Sequence, residues 1–379
     1  MSWRETTLGE ITNLKRGFDL PKSQRLQGDV PVYSSSGITG SNSTAAVEGP
    51  CVITGRYGTI GEVFFSSGPC WPLNTALYST EFNGNNPRFV YYLLQTIPWQ
   101  GYTTASAVPG VNRNHVNLCP VKIPDRATQD TIVEVLDSIV DKIALNNRIN
   151  DYLEQLLMTS QRKISEVEAL TSVRADEAFD IHIGKTPPRK ESEWFSPNSN
   201  NNVVWMSIKD MGCGDVYLMD SSEYLTQKAV AKHNMKLCKP GSVLLSFKLT
   251  IGRVGIVSKE MTTNEAIACF SSDDPRKLAY LYPLLKSYDY ASLGSTSSIA
   301  TAVNSKMIKS MLLRMPSTSV LDQFYEQTKP LYEMLQNKVK ENVSLTALRD
   351  VLLPKLMSGE IDVSKVDLTQ LTNNHLSDC

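Results

Sequence analysis

A repeat with a shift of 191 residues runs through this chain and limits what it can fold into. Val52-Ile53-Thr54-Gly55-Arg56-Tyr57-Gly58-Thr59-Ile60-Gly61-Glu62-Val63 returns as Val243-Leu244-Leu245-Ser246-Phe247-Lys248-Leu249-Thr250-Ile251-Gly252-Arg253-Val254, with Thr-Ile-Gly recurring 191 positions on. Asn74-Thr75-Ala76 returns as Asn264-Glu265-Ala266, Val111-Asn112 as Val303-Asn304, Ile123-Pro124 as Met315-Pro316, and Leu153-x-x-Leu156 as Leu345-x-x-Leu348, all at offsets of 190 to 192. So steady a shift means two copies of one folding unit, each a globular piece followed by a helix. At 379 residues, each copy is long enough to bury its own core.

The helical segments are the clearest elements. From Gln129 onward, Ile132, Val135/Leu136, Ile139, Ile143, Asn146, Ile149/Asn150, Leu153, Leu156/Leu157, Ile164 and Val167 recur at a spacing near 3.5, with no Pro or Gly between Asp125 and Leu170. The second seam runs through Val320, Phe324, Leu331, Leu335, Val339, Asn342, Leu345, Leu348 and Leu352. Each could extend roughly 60 Å at ~1.5 Å per residue. Pro330 lies inside the second and is expected to start a new turn or kink it. Two seams in one chain most simply zip together antiparallel. Asn146, Asn150 and Asn342 either fix the register of that pairing or sit on an exposed flank.

Short β-branched or aromatic runs punctuated by Gly, Pro, Asn and Ser mark strands at 30–34, 51–54, 61–65, 203–207, 242–246, 253–257 and 266–270. One helix is expected in each piece, at 87–95 and 275–287. The fold class expected is α+β: two strand-rich globular domains separated by a pair of long antiparallel coiled-coil helices, with a pseudo-twofold internal repeat. The boundaries are 1–125 and 171–315 for the globular domains, 126–170 and 316–362 for the helices, and 363–379 for a tail.

Charge is sorted along the same boundaries. The net charge is -1, but residues 1–125 carry 9 Lys and Arg against 8 Asp and Glu, and residues 171–315 carry 18 against 14. The helical stretches are acidic, with 5 against 8 in 126–170 and 6 against 9 in 316–379. Either the globular pieces are suited to approach phosphate, or differences this small are noise. No apolar run approaches a membrane span, and Met1-Ser2-Trp3-Arg4-Glu5 begins no secretory signal. The seven cysteines are scattered and never form a C-x-x-C pair. They suggest reduced, mostly buried thiols in a cytoplasmic protein, without a disulfide framework or zinc knuckle.

The residues then match a family pattern. Trp3 with Leu8-Gly9-Glu10-Ile11, Arg16-Gly17-x-x-x-Pro21, the Gly-Thr-Ile-Gly loop, Asn74-x-Ala76, and Ile123-Pro124 with Gln129 opening a long helix resemble the specificity subunit of type I restriction-modification systems. The second copy follows with Ile183-Gly184-Lys185-Thr186-Pro187, Trp205-Met206-Ser207-Ile208-Lys209-Asp210, Thr250-Ile251-Gly252, Asn264-Glu265-Ala266, and Pro316 with Gln323. Leu352-Leu353-Pro354-Lys355-Leu356-Met357-Ser358-Gly359-Glu360-Ile361 looks like the family's closing signature. One departure is that Pro and Gln stand five apart in the first copy and seven apart in the second.

The resemblance implies a double-stranded DNA reader that performs no chemistry itself. Each globular piece would contact one half of a split sequence, and the paired helices would set the unread gap. Two methyltransferase subunits would dock on the helices, and restriction and translocation subunits would join for cleavage. The chain itself would bind no cofactor; S-adenosylmethionine, and ATP with Mg, are expected on the partners.

Candidate DNA contacts are basic and amide residues in Gly/Pro loops, where backbone can approach phosphate and Arg can reach a base edge. In the first copy these are Lys15, Arg16, Lys22, Arg25, Arg56, Tyr57, Asn112, Arg113 and Asn114. In the second they are Lys185, Arg189, Lys190, Lys209, Lys248, Arg253, Asn304 and Lys306. Each is either a solvated charge, a phosphate contact or a base reader, and the Gly-Thr-Ile-Gly turns are either structural hairpins or contacts.

Enzymatic alternatives lack their residues. No Asn-Pro-Pro-aromatic or Asp-Pro-Pro-aromatic tetrad and no Asp/Glu-x-Lys occurs. Gly184-Lys185-Thr186 resembles a phosphate loop, but Phe179 stands where its first glycine belongs. His115, His182, His233 and His375 fall in no metal spacing. The competing reading is a repeat-built protein-interaction scaffold without DNA specificity.

Overall fold

A computed structural model of the chain describes residues 3–103, 110–293 and 303–365; His375 and Cys379 lie outside the described residues. The chain divides into two compact units, residues 1–142 with 345–379, and residues 143–344.

Unit 1 is built on a four-stranded sheet in the order Lys15–Arg16, Ala76–Ser79, Cys51–Gly55, Val63–Ser66. Beside it, Val30–Ser34 pairs antiparallel with Gly37–Asn42 and parallel with Trp71–Pro72. Strand Trp3–Thr7 pairs antiparallel with Pro120–Pro124, which brings the head's first and last strands together. Asn86 caps the Pro87–Gln95 helix by accepting hydrogen bonds from Arg88 and Phe89, with proline at its first position. Phe89, Val90, Leu93 and Leu94 from this helix join Leu8, Ile11, Val52 and Leu77 in the core. Ile132, Val135 and Leu136 of the first long helix, and Leu356 and Met357 of the second, enter the same cluster.

Unit 2 repeats the plan. Its main sheet is ordered Asp180–Ile183, Ile267–Ser271, Val243–Ser246, Val254–Val257, with Tyr217–Leu218 added in parallel at the edge. The strand register carries the repeat in three dimensions. Thr54 opposite Val63 becomes Leu245 opposite Val254, and Val52 opposite Ser79 becomes Val243 opposite Phe270, each member displaced by the 191 of the sequence. Glycine repeats its role too: a Cβ on Gly17 would overlap the Leu73 carbonyl oxygen, and one on Gly184 the Thr263 carbonyl oxygen. Unit 2 differs in its second sheet, where Phe195–Ser196, Tyr224–Thr226, Asn202–Met206 and Met261–Thr263 align.

The long helices span Arg126–Val167 and Thr318–Ser358. Asp125 opens the first by accepting from the Thr128 amide at 3.0 Å. Contrary to the sequence expectation, the second helix runs unbroken across Pro330. A proline costs one backbone hydrogen bond, and here Phe324, Tyr332 and Leu335 are buried on either side of it and hold the helix in place. Within unit 2 the two helices run in opposite directions. Asn146, early in this part of the first helix, donates to Asn342 at 3.0 Å, whereas the later Gln161 meets Tyr280, whose ring packs on the earlier Phe324.

The seam is mostly where its spacing puts it, but Val167 at its end is 82% exposed. Leu157 is buried while Leu156 is 51% exposed, and Leu348 is 36% exposed. Asn146 and Asn150 are buried rather than on a flank, and Asn342 also donates to Asn147 at 2.6 Å. Asn146 Oδ1 has no hydrogen-bond partner among the described residues. An unsatisfied buried acceptor costs about 1–3 kcal/mol, more than the single bond Asn146 makes contributes. Asn146→Leu should therefore raise stability by about 1 kcal/mol, or ~2–4 °C in Tm, while weakening the polar register mark. A lower Tm in thermal denaturation of the full chain would contradict this.

Candidate nucleic-acid interface

Four separate stretches of unit 1 converge on one cleft of ≈ 460 Å³. It is lined by Arg16, Arg56, Tyr57, Leu77, the segment 110–113 and Asn114. Arg16 comes from the edge strand of the sheet, and Arg56 and Tyr57 follow the end of the Cys51–Gly55 strand. Asn112 and Arg113 start the short Arg113–Val116 helix, whose first turn Asn112 caps by accepting from the Asn114 amide at 3.0 Å.

Backbone hydrogen bonds lock these stretches together. The Arg56 and Tyr57 amides donate to the Thr75 carbonyl at 2.9 and 3.2 Å, and the Val111 amide donates to the Arg56 carbonyl at 2.9 Å. The conserved offset of Asn74-Thr75-Ala76 in the sequence thus marks the turn that holds the loop. Nothing in the sequence singles out Gly110, yet the Tyr57 ring occupies the space its Cβ would take. The Arg56 guanidinium carbon stands 4.6 Å from the Tyr57 ring centroid, an arrangement that orients a planar fork.

Among the described residues the lining holds three arginines and no carboxylate; Asp19 approaches Arg16 at 3.5 Å. A concave surface with one sign of charge concentrates its field on an anionic ligand. The structure therefore brings together Arg16, Arg56, Tyr57, Asn112, Arg113 and Asn114. It leaves three first-copy candidates elsewhere. Lys15 pairs with Glu81 and, with Asn13, holds that carboxyl below its usual range. Arg25 donates to the Thr39 carbonyl at 2.9 Å, and Lys22 is exposed on a short turn.

In unit 2 several candidates have intramolecular work. Lys185 donates to the His233 and Asn234 carbonyls at 3.0 and 2.9 Å, just past the Gln227–Lys232 helix. Arg189 grips both carboxylate oxygens of Glu223 at 2.7 and 2.9 Å and lies over Phe195 and Trp205. Arg253 turns inward to the Ile208 carbonyl, and Asn304 caps the Ser305–Ser310 helix. Lys190, Lys209, Lys248 and Lys306 are exposed.

The Thr-Ile-Gly turn of this unit presents Lys248 and Leu249. Leu249 is 99% exposed and holds a left-handed φ of 59°, where Gly58 of the first copy has 80°. A non-glycine residue in that region stores backbone strain.

The fold has counterparts among known proteins. Residues 1–155 match the family model described as the type I restriction modification DNA specificity domain. The HindI type I restriction enzyme specificity subunit of Haemophilus influenzae is 22% identical over 464 aligned positions, covering 95% of this chain and 99% of that protein. The MjaIX specificity subunit of Methanocaldococcus jannaschii is 22% identical over 310 positions, covering 73% and 70%. The fold resembles a type I restriction-modification S subunit from M. genitalium at a TM-score of 0.54 and 14% identity, covering 94% of this chain and 96% of that one. The molecule is of the duplicated class, with two compact units. Residues 1–155 thus resemble the type I restriction modification DNA specificity domain, and the chain is similar over most of its length to type I specificity subunits.

Proposed function

We propose that the chain reads a bipartite double-stranded DNA sequence, one half through each unit, and delivers methyltransferase and restriction subunits to it. The observation that carries this reading is the acid-free arginine cleft of unit 1, assembled from segments distant in sequence and fixed by backbone bonds. Three guanidiniums with asparagine amides beside them match what phosphates and base edges accept. In unit 2 the exposed Lys248 on the matching turn is the counterpart contact.

The first long helix supports partner docking. Leu145, Tyr152 and Leu156 are 50%, 60% and 51% exposed and spaced seven and four apart, so they form one apolar stripe on unit 2. A methyltransferase subunit, two per chain as the repeat suggests, is the occupant this reading assigns. S-adenosylmethionine, and ATP with Mg, then belong to the partner subunits, and the complex acts in the cytoplasm. Among the described residues no helix is long and apolar enough to cross a membrane.

Methylation-sensitive sequencing of DNA from cells with and without the gene tests the reading. A split adenine motif should be modified only when the gene is present. An identical methylation pattern in both would leave the scaffold alternative standing.

A further inference from the structure

Two strands and a loop of unit 2 bring two thiols and an imidazole to one buried point. His182, on Asp180–Ile183, lies directly opposite Cys269, on Ile267–Ser271, so both side chains emerge on the same face of the sheet. Cys238 enters from the loop that bridges to Met261. The three are 9%, 0% and 1% exposed, respectively, and one ligand atom from each lies within 4.8 Å of the other two. His182 Nε2 stands 3.5 Å from Cys238 Sγ.

These dimensions suit a tetrahedral ion. With Zn–S near 2.3 Å and Zn–N near 2.0–2.1 Å, the N···S edge of a tetrahedron is about 3.6 Å. Core cysteines pack as small hydrophobes and need no imidazole beside them. Unit 1 supplies the contrast: Cys51 and Cys70 form a second buried thiol pair, and no histidine joins it in a metal-holding group among the described residues. His182 and Ser242 line a cleft of ≈ 960 Å³.

We propose that His182, Cys238 and Cys269 bind one borderline-soft divalent ion of the zinc class, with water as fourth ligand. The ion ties the edge strand carrying His182, the central strand carrying Cys269 and the loop carrying Cys238. Gly184 and Lys185 follow His182 by two and three residues, so the pin steadies that turn. Zinc prefers this mixed N/S set, and a site formed only in the folded unit adds its binding energy to folding.

Cobalt(II) is the probe, added to the chelator-treated full chain purified with its partner subunits. One equivalent should give thiolate-to-cobalt charge-transfer absorption that zinc abolishes by displacement. The absorption should vanish in Cys269→Ser and fall in His182→Ala, while Cys51→Ser keeps it. Absence of the band in the unaltered chain, or its survival in Cys269→Ser, overturns the proposal. Should the variants fail to fold, thermal denaturation of the unaltered chain decides: saturating zinc should raise Tm by about 5 °C, and no rise overturns it.

Discussion

Replacing Arg56 with alanine should weaken binding to the cognate DNA about 30-fold, with the full chain measured together with its methyltransferase partner at fixed salt. Arg56 is placed by its own amide and the Tyr57 amide on the Thr75 carbonyl, by the Val111 amide on its own carbonyl and by the Tyr57 ring beside its guanidinium. It is one of three arginines in a cleft with no carboxylate among its described lining residues. A bidentate Arg contact to a base contributes about 1–3 kcal/mol, and tenfold corresponds to about 1.4 kcal/mol. Arg56→Lys keeps the charge but loses the planar fork, so a base reader should be only partly rescued. If Arg56 instead contacts phosphate, loss is uniform across sequences and the salt slope falls by about one. Unchanged affinity for both variants would remove the cleft from the DNA interface.

Gly55→Ala is expected to cost unit 1 about 3 kcal/mol, roughly 10 °C in Tm, because a Cβ there would collide with the Thr59 carbonyl oxygen. The clash is with backbone, so relief requires moving the very turn that presents Arg56 and Tyr57. Affinity for DNA should fall with stability. The second copy solves the same position differently. Ser246 stands there, donates to the Thr250 carbonyl at 2.6 Å and accepts from the Arg253 amide at 3.0 Å. Ser246→Ala should therefore cost only the two hydrogen bonds, about 1–2 kcal/mol. Equal costs for the two variants, read by thermal denaturation, would mean that the turns do not differ as their contacts indicate.

Much of this was legible beforehand, for a local reason. The strands at 30–34 and 51–55 and the helices starting at Pro87 and Pro275 follow from β-branched runs and from Asn86 and Asp274 caps ahead of proline. The long helices follow from a seam spacing that persists for some 40 residues. What failed were judgements about single partners. Spacing near 3.5 does not separate Leu156 from Leu157, since adjacent residues straddle the edge of a buried stripe, and Pro330 is overridden by packing on both sides. Among the cations, sequence placed Arg56 and Arg189 alike in polar loops. The fold gave one an open cleft and the other Glu223 with two aromatic rings.

The amino-acid sequence alone determined the duplication and the α+β class, because a repeated chemical pattern and helical periodicity are properties of neighbours along the chain. Only the tertiary structure decided which side chains meet. His182, Cys238 and Cys269 are 56 and 31 residues apart with no ligand spacing between them, and strand pairing puts them within 4.8 Å. Arg16, Arg56 and Arg113 are similarly scattered and share one cleft. Contacts of that range are set by sheet register and loop closure, and no local rule encodes them.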